Sequence, residues 1–376
     1  MFNRVDIHHA TAGAGHKSAA LALAAAFKQA GAARDVRVID ALDHTAGWYT
    51  NVYREKYLEW VGKRPHLIGY TYDKLNTPWQ QQKRRLFLDR AAARDYIDLL
   101  EKSDADLAIC THFTPSELIS WLRKKRRLAT PQAVVVTDFD VHAMWLCPNY
   151  EHFFVAREEA KVYLGEIDIR PQDIHVTGIP INPAFAIAKD KKAMRIKHGL
   201  LPDVPVVVLS AGGYGVGNIG GLLKEILRVS LPLQVVAICG RNEELKAEVD
   251  AIAVAARGLP VEILPIGFTT EMDEFMSAAD IVVGKPGGLT TSEALAKGLA
   301  FIVVNPIPGQ EDRNTEHLLQ HGAGMRCNHI EVLHWMLERL IADPERLAKM
   351  QANARAIGKP NAAMEIVDRL VRAHAG

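Results

Sequence analysis

Only four cysteines occur in 376 residues, and no two of them form a C-x-x-C pair. Cys110, Cys147, Cys239 and Cys327 lie far apart, which leaves a disulfide framework or a structural zinc site without support and makes a reducing compartment the expectation. Long hydrophobic runs are missing as well. No stretch approaches the roughly 18–20 apolar residues of a membrane span. The opening M-F-N-R-V-D-I has no basic segment leading into an apolar one, so neither a spanning helix nor an export signal is expected. Charge of one sign is also lacking: 45 Lys and Arg meet 44 Asp and Glu, a net charge of +1, which argues against a chain built as a whole to bind nucleic acid. Aromatic residues are scarce at 7%, yet nine of them crowd between Trp48 and Phe87. What remains is globular in composition, 48% apolar and 24% charged, and long enough for two domains.

Strand-like apolar runs alternate with helical patterns. The first set is R-V-D-I-H-H, V-R-V-I-D, D-L-A-I-C, A-V-V-V-T-D, H-F-F-V-A and I-H-V-T-G; the second is V-P-V-V-V-L-S, L-Q-V-V-A-I-C, V-E-I-L-P-I-G, D-I-V-V-G and A-F-I-V-V-N. Near-continuous Val/Ile runs bounded by Gly, Pro or Asp predict parallel strands buried on both faces, hence an α/β fold. The Pro-rich G-I-P-I-N-P-A-F and the Lys-rich segment after it predict an interdomain link near residues 185–200.

The passage H-H-A-T-A-G-A-G-H-K-S-A-A-L-A-L reads as strand, Gly-rich turn and helix, an arrangement that favours an anion through free amide groups and the helix dipole. A Walker A loop is excluded, because counting back from Lys17-Ser18 puts His16 and Thr11 where its glycines belong. The dinucleotide fingerprint fits in part: Gly13 and Gly15 take its first two places, Ser18 the third, and Asp40 follows at a suitable distance. Neither template uses His16. At a helix N-terminus its imidazolium is disfavoured, so a neutral imidazole able to accept a proton is expected.

The second half holds two more Gly-rich turns, A-G-G-Y-G-V-G-N and G-K-P-G-G-L-T-T-S-E. In the latter, Thr290, Thr291 and Ser292 place hydroxyls beside unpaired amides, and Glu293 follows where a carboxylate can accept from a ribose diol. The loop N-P-I-P-G-Q-E-D-R-N-T-E adds Gln310, Arg313 and Asn314. A ligand with a nucleoside, a diphosphate and a sugar fits this set.

The stretch from G-F-T-T-E-M-D-E-F through G-K-P-G-G-L-T-T-S-E-A-L-A resembles the donor-binding half of glycosyltransferase family 28. T-A-G-A-G-H-K-S-A-A-L-A-L, P-H-L-I-G-Y-T-Y-D, C-T-H-F-T-P-S and V-V-T-D-F-D resemble more narrowly its diacylglycerol-sugar branch, the monogalactosyldiacylglycerol synthases and processive diacylglycerol glucosyltransferases. The resemblance covers roughly residues 5–330. It implies a GT-B fold, two facing Rossmann-like domains, and an inverting transfer of a hexose from UDP-glucose or UDP-galactose to a lipid, most simply 1,2-diacylglycerol, with no cofactor and no essential metal. The domains implied are 1–188 for the acceptor, joined by a C-terminal helix 360–376, and 189–359 for the donor. The expected location is the cytoplasmic face of the cell membrane.

Carried over by residue, the resemblance makes His16 the catalytic base and Asp138 a supporting acid. It sets Gly15, Gly212, Gly213, Phe268, Gly287, Gly288, Thr290, Glu293, Gln310, Arg313 and Asn314 around the donor. Arg313 and Asn314 stand where the peptidoglycan enzyme of the family has two glutamines, which leaves the sugar open. His8 and His9 read as packing residues of the first strand. Asp138, Asp140 and His142 alternate as metal ligands would, and D-F-D mimics a metal-binding D-x-D, but the family pattern requires only T-D there.

Residues 48–94 interleave aromatics with ten Lys and Arg and only four acids, a composition suited to an anionic membrane surface. Trp60, Tyr70, Tyr72, Trp79 and His112 are the expected acceptor or membrane residues. The run R-K-K-R-R at 123–127 reads equally as a solvated helix end or a second lipid patch. Rival readings keep the donor but change the acceptor to a polyprenyl-linked or soluble one, or make the chain a sugar-nucleotide epimerase, an NAD-dependent oxidoreductase or a non-catalytic sensor.

Overall fold

The computed structural model describes residues 1–11, 13–51, 65–80, 82–210 and 218–375, with side chains at 65–68, 71 and 82–84 outside that description. Trp60, Gly212 and Gly213 therefore lie outside the described residues. The chain forms two compact units: residues 1–183 with 307–313 and 361–376, and residues 184–306 with 314–360. The segment 307–313, expected within the donor domain, thus groups with the first unit.

The first unit is built on β1 (Phe2–His9), β2 (Ala33–Asp40), β3 (Leu107–Cys110), β4 (Gln132–Val135), β5 (His152–Val155) and β6 (Ile174–Val176). All pair in parallel, in the order β2-β1-β3-β4-β5-β6. The Val, Ile, Leu and Phe runs of β1, β3, β4 and β5 are buried, the reason such strands show no alternation, whereas the edge strands β2 and β6 are only partly covered. Strand order reverses between β1 and β3, and the crevice beyond the carboxyl ends at such a switch point is where open α/β sheets bind ligands. The helix Ala14–Ala30 packs Leu23 and Phe27 into this core and ends on Gly31, whose φ of 59° closes the helix with bonds to Lys28 and Phe27 carbonyls.

The second unit repeats the plan with β7 (Val206–Ser210), β8 (Leu233–Ile238), β9 (Val261–Ile266), β10 (Ile281–Gly284), β11 (Ala300–Val304) and β12 (Gly324–Cys327). Its parallel order, β12-β11-β10-β7-β8-β9, reverses between β7 and β10, the two strands that lead into the Gly-rich turns of the sequence. The four cysteines are buried and unpaired by disulfides.

The helix Ala362–Ala375 belongs to the first unit, where Ile366, Val367 and Leu370 are buried against Phe2, Leu23 and Phe27, and His374 stacks on Phe2 with centroids 4.2 Å apart. The inner face of this helix is therefore part of the core. Ile366→Ala should lower unfolding stability by about 3 kcal/mol, read from urea midpoints; an unchanged midpoint would show that this helix is dispensable.

Candidate active site

In the first unit β1 delivers the chain at His9, the turn ends on Gly13 in extended conformation, and the helix begins at Ala14, which places His16 in its first turn. Asp40, at the end of β2, accepts from the Thr11 amide at 3.2 Å and from the Leu42 amide at 3.0 Å, and its second oxygen takes the Thr11 hydroxyl. His9 Nδ1 lies 4.0 Å away. Asp40 therefore staples the turn to the neighbouring strand, and the dinucleotide reading, which needs that carboxylate for a ribose diol, is not supported.

His16 Nδ1 lies 2.8 Å from the Thr111 carbonyl and 2.9 Å from the Thr137 hydroxyl. A carbonyl only accepts, so Nδ1 carries the proton and donates, and Nε2 is left as the basic nitrogen. The Thr111 hydroxyl returns the bond to the His16 backbone carbonyl at 2.9 Å. Thr111 follows β3 and Thr137 follows β4, so three strand ends fix one ring at the switch point. His112 packs edge-on to that ring, 4.6 Å between centroids at 84°, with Trp145 at 6.2 Å. Burial in this aromatic nest pushes His16 down from 6.5 to about 4, with the Thr111 bond opposing and His9 adding to the fall. At neutral pH His16 is uncharged.

His112, expected at the acceptor or the membrane, is buried: its Nδ1 accepts from the Thr114 amide at 3.1 Å and caps the helix Phe113–Lys124. His8 is buried with Nδ1 2.8 Å from the Tyr96 hydroxyl, a packing role. Sequence reasoning missed Thr111 and Thr137 as site residues, although both sit inside motifs it used, C-T-H and T-D.

Beyond Thr137 the three candidate metal ligands part company. Asp138 accepts from Gln310 Nε2 at 2.7 Å, and burial pushes its carboxyl up to about 6, with Asp140 adding to the rise. Asp140 takes Arg313 at 2.7 Å, with Arg157 at 3.7 Å. His142 accepts from the Met144 amide through Nδ1, so its Nε2 donates to the Tyr72 carbonyl at 2.8 Å. Gln310 and Arg313, expected beside the donor, are thus placed in the first unit on two carboxylates. Gly309 makes this possible: its φ of 89° favours glycine, and a Cβ there would meet the Tyr72 ring at 2.9 Å.

The described part of the aromatic-basic stretch is pinned from beneath. Asn76 Oδ1 accepts from the Ala143 amide at 2.8 Å, Trp79 Nε1 donates to the Ile167 carbonyl at 3.1 Å, and Arg85 bonds Glu117 and the Met144 carbonyl. Tyr70 and Phe87 stay two-thirds exposed (66% and 68%), with Trp48 and Leu88 more than half exposed. Tyr72 instead packs on His142 with centroids 4.2 Å apart. In the basic run, Arg123 and Arg127 pair with Glu151 and Glu101, which leaves less free charge than the composition suggests.

In the second unit β10 ends at Gly284, and the helix Gly288–Ala296 starts from Gly287, so that among the described residues no side-chain cap closes its first turn. Ser292 back-bonds the Gly288 carbonyl at 2.8 Å and Thr291 turns into the core, leaving Thr290 half-buried at the turn. Asn314 is buried and donates to the Pro286 carbonyl at 3.0 Å, which fixes the turn. Glu293 lies one turn further on, partly buried, and burial alone pushes it up to about 8. Phe268, at the end of β9, is 60% exposed beneath the Arg241 guanidinium at 4.5 Å.

Two switch-point sites on two parallel sheets define a GT-B fold, and comparison with known proteins agrees. Residues 220–370 match the family described as Glycosyltransferase family 28 C-terminal domain, and residues 16–181 match Monogalactosyldiacylglycerol (MGDG) synthase. A processive diacylglycerol beta-glucosyltransferase of Bacillus pumilus is 30% identical over 312 residues, 83% of this chain and 79% of that one. Among solved structures, Acinetobacter baumannii MurG superposes with a TM-score of 0.65 at 17% identity, covering 99% of both chains. A UDP-GlcNAc 2-epimerase of Neisseria meningitidis bound to UDP-GlcNAc gives 0.59 at 17% identity, covering 98% of this chain and 100% of that one. The last two establish the fold alone, since it serves a transferase and an epimerase alike. The chain belongs to glycosyltransferase family 28, in the branch of the MGDG synthases and processive diacylglycerol glucosyltransferases.

Glu293 binds a proton in the folded state between its ordinary 4.5 and about 8 where the unfolded chain does not, so stability is lost as pH rises through that window. Glu293→Gln, which cannot ionise, should gain stability relative to the parent between about pH 5 and about pH 9. A stability difference that stays constant across this range in urea titrations would contradict the buried, unpaired carboxyl.

Proposed function

We propose that the protein is an inverting hexosyltransferase that moves glucose or galactose from its UDP-sugar to the free hydroxyl of 1,2-diacylglycerol. The observation that carries this reading is His16: a neutral imidazole at a switch point, its Nδ1 proton engaged by Thr111, its Nε2 left to accept. In the reaction the acceptor oxygen bonds the anomeric carbon, its proton passes to Nε2, and the bond from that carbon to the diphosphate breaks, with the electron pair leaving on UDP. The uncapped start of the Gly288–Ala296 helix, with Thr290, receives the diphosphate, and Glu293 accepts from the ribose diol. Amides and the helix dipole neutralise the leaving group in this scheme, so we assign no metal and no cofactor to it. Asp138 and Gln310 hold one another beside Thr137 and orient the acceptor side.

For the lipid, Tyr70, Trp79 and Phe87, set among basic residues, are proposed to meet an anionic membrane on its cytoplasmic face. No helix among the described residues is long and apolar enough to cross a membrane, so contact would be peripheral.

The test is UDP release with UDP-glucose and UDP-galactose in turn, on vesicles with and without diacylglycerol, followed by mass analysis of the lipid. Diacylglycerol-dependent release with a hexosyl-lipid product is expected; interconversion of the UDP-sugar without acceptor would point to an epimerase instead. His16→Ala should lower transfer by about 100-fold or more while UDP binding persists, and near-normal transfer would remove His16 as base. The acid limb of kcat/KM in the parent should lie near 4 rather than 6.5, because activity is lost only as His16 becomes protonated. A limb near 6.5 would contradict the buried base.

A further inference from the structure

At the far edge of the first sheet, where glycosyl transfer has no use for it, lies a polar cavity of about 340 Å³ lined by Glu158, Lys161, Gln172, His175 and Arg369. Four elements contribute: the helix Glu158–Glu166, the turn Pro171–Asp173, the edge strand β6 and the helix Ala362–Ala375. Lys161 and Arg369 enter no ion pair among the described residues, unlike Arg123, Arg127 and Arg170, which each hold a carboxylate. Two unpaired cations therefore face one cavity wall that also presents an imidazole and an amide, with Glu158 the single acid in the lining.

His175 is itself backed by His152, its Nε2 3.1 Å from His152 Nδ1. Burial, His152, Arg369 and Lys161 together hold it down to about 4, with Asp173 the one group pulling the other way. Asp173 is in turn paired with Arg170, and Glu151 acts on His152. The cavity thus concentrates positive charge that suppresses the protonation of its own histidine. An anion with several acceptor oxygens would relieve this: a guanidinium fork, an ammonium and an imidazolium lining one cavity suit a tetrahedral phosphate.

We propose that this cavity binds a phosphate group, borne either by a small soluble phosphate ester or by a lipid headgroup. Binding would draw a proton onto His175, since the anion replaces cation–cation repulsion with attraction. Glu158, the one acid in the lining, offsets part of this attraction. The site stands on the first unit alone and does not depend on the transferase reading.

The test follows the His175 Cε1 resonance by NMR in the full chain, assigned by its loss in His175→Gln. The resonance is titrated with pH in chloride and in inorganic phosphate at equal ionic strength. Phosphate should raise the His175 pKa by about one unit or more in the parent, and leave it unmoved in Lys161→Ala/Arg369→Ala, which removes one half-buried and one exposed side chain and whose urea midpoint is compared with the parent's. In parallel, co-sedimentation with phosphatidic acid vesicles compares that double variant with Lys349→Ala/Lys359→Ala, which loses the same charge at two exposed positions elsewhere. A pKa rise with inorganic phosphate supports the site and a soluble ligand. No rise, but vesicle binding lost more in Lys161→Ala/Arg369→Ala than in the control, supports it with a headgroup as ligand. No rise and equal vesicle binding by the two double variants overturns it.

Discussion

The hydrogen bond from His16 Nδ1 to the Thr111 carbonyl joins the turn after β1 to the loop after β3 across the reversal of strand order. Much of the first unit is arranged so that this bond has one geometry. Asp40 ties the turn to β2, the Thr111 hydroxyl bonds back to His16, Thr137 meets the same ring nitrogen from β4, and His112 and Trp145 exclude water from its flank. Each contact is modest, about 1 kcal/mol. Their joint effect is on chemistry: they hold the tautomer that leaves Nε2 basic and keep the ring neutral.

The second unit applies burial to an acid instead of a base. Glu293 is partly buried without a cationic partner among the described residues, which costs stability above the ordinary carboxylate range, and the helix start at Gly287 carries no side-chain cap there. Both are unfavourable for an isolated fold and favourable for a ligand that brings a diol and a diphosphate. Natural proteins tolerate such local costs at sites of function.

Much of the fold was legible in the sequence because buried parallel strands are simple in composition: runs such as V-V-V-L and D-I-V-V-G have few alternatives. β12 was not, since Gly324–Cys327 is four residues long and includes an exposed Arg326, so it carries no apolar run to find. His16 stood out from its place at a turn, whereas Thr111 and Thr137 act through a carbonyl and a hydroxyl that any threonine possesses. The grouping of 307–313 with the first unit depends on Asp138–Gln310 and Asp140–Arg313, pairs more than 170 residues apart, which no local pattern announces. The burial of His112 was hidden for the same reason: it comes from strands and rings brought in from elsewhere in the chain.

The ring of His16 can be observed directly by ¹⁵N NMR of the imidazole nitrogens at neutral pH, with His16→Gln to assign the signals. A protonated Nδ1, a bare Nε2 and a titration midpoint near 4 are expected. A proton on Nε2, or a midpoint near 6.5, would mean that Thr111 does not fix the tautomer and that the base must be sought elsewhere.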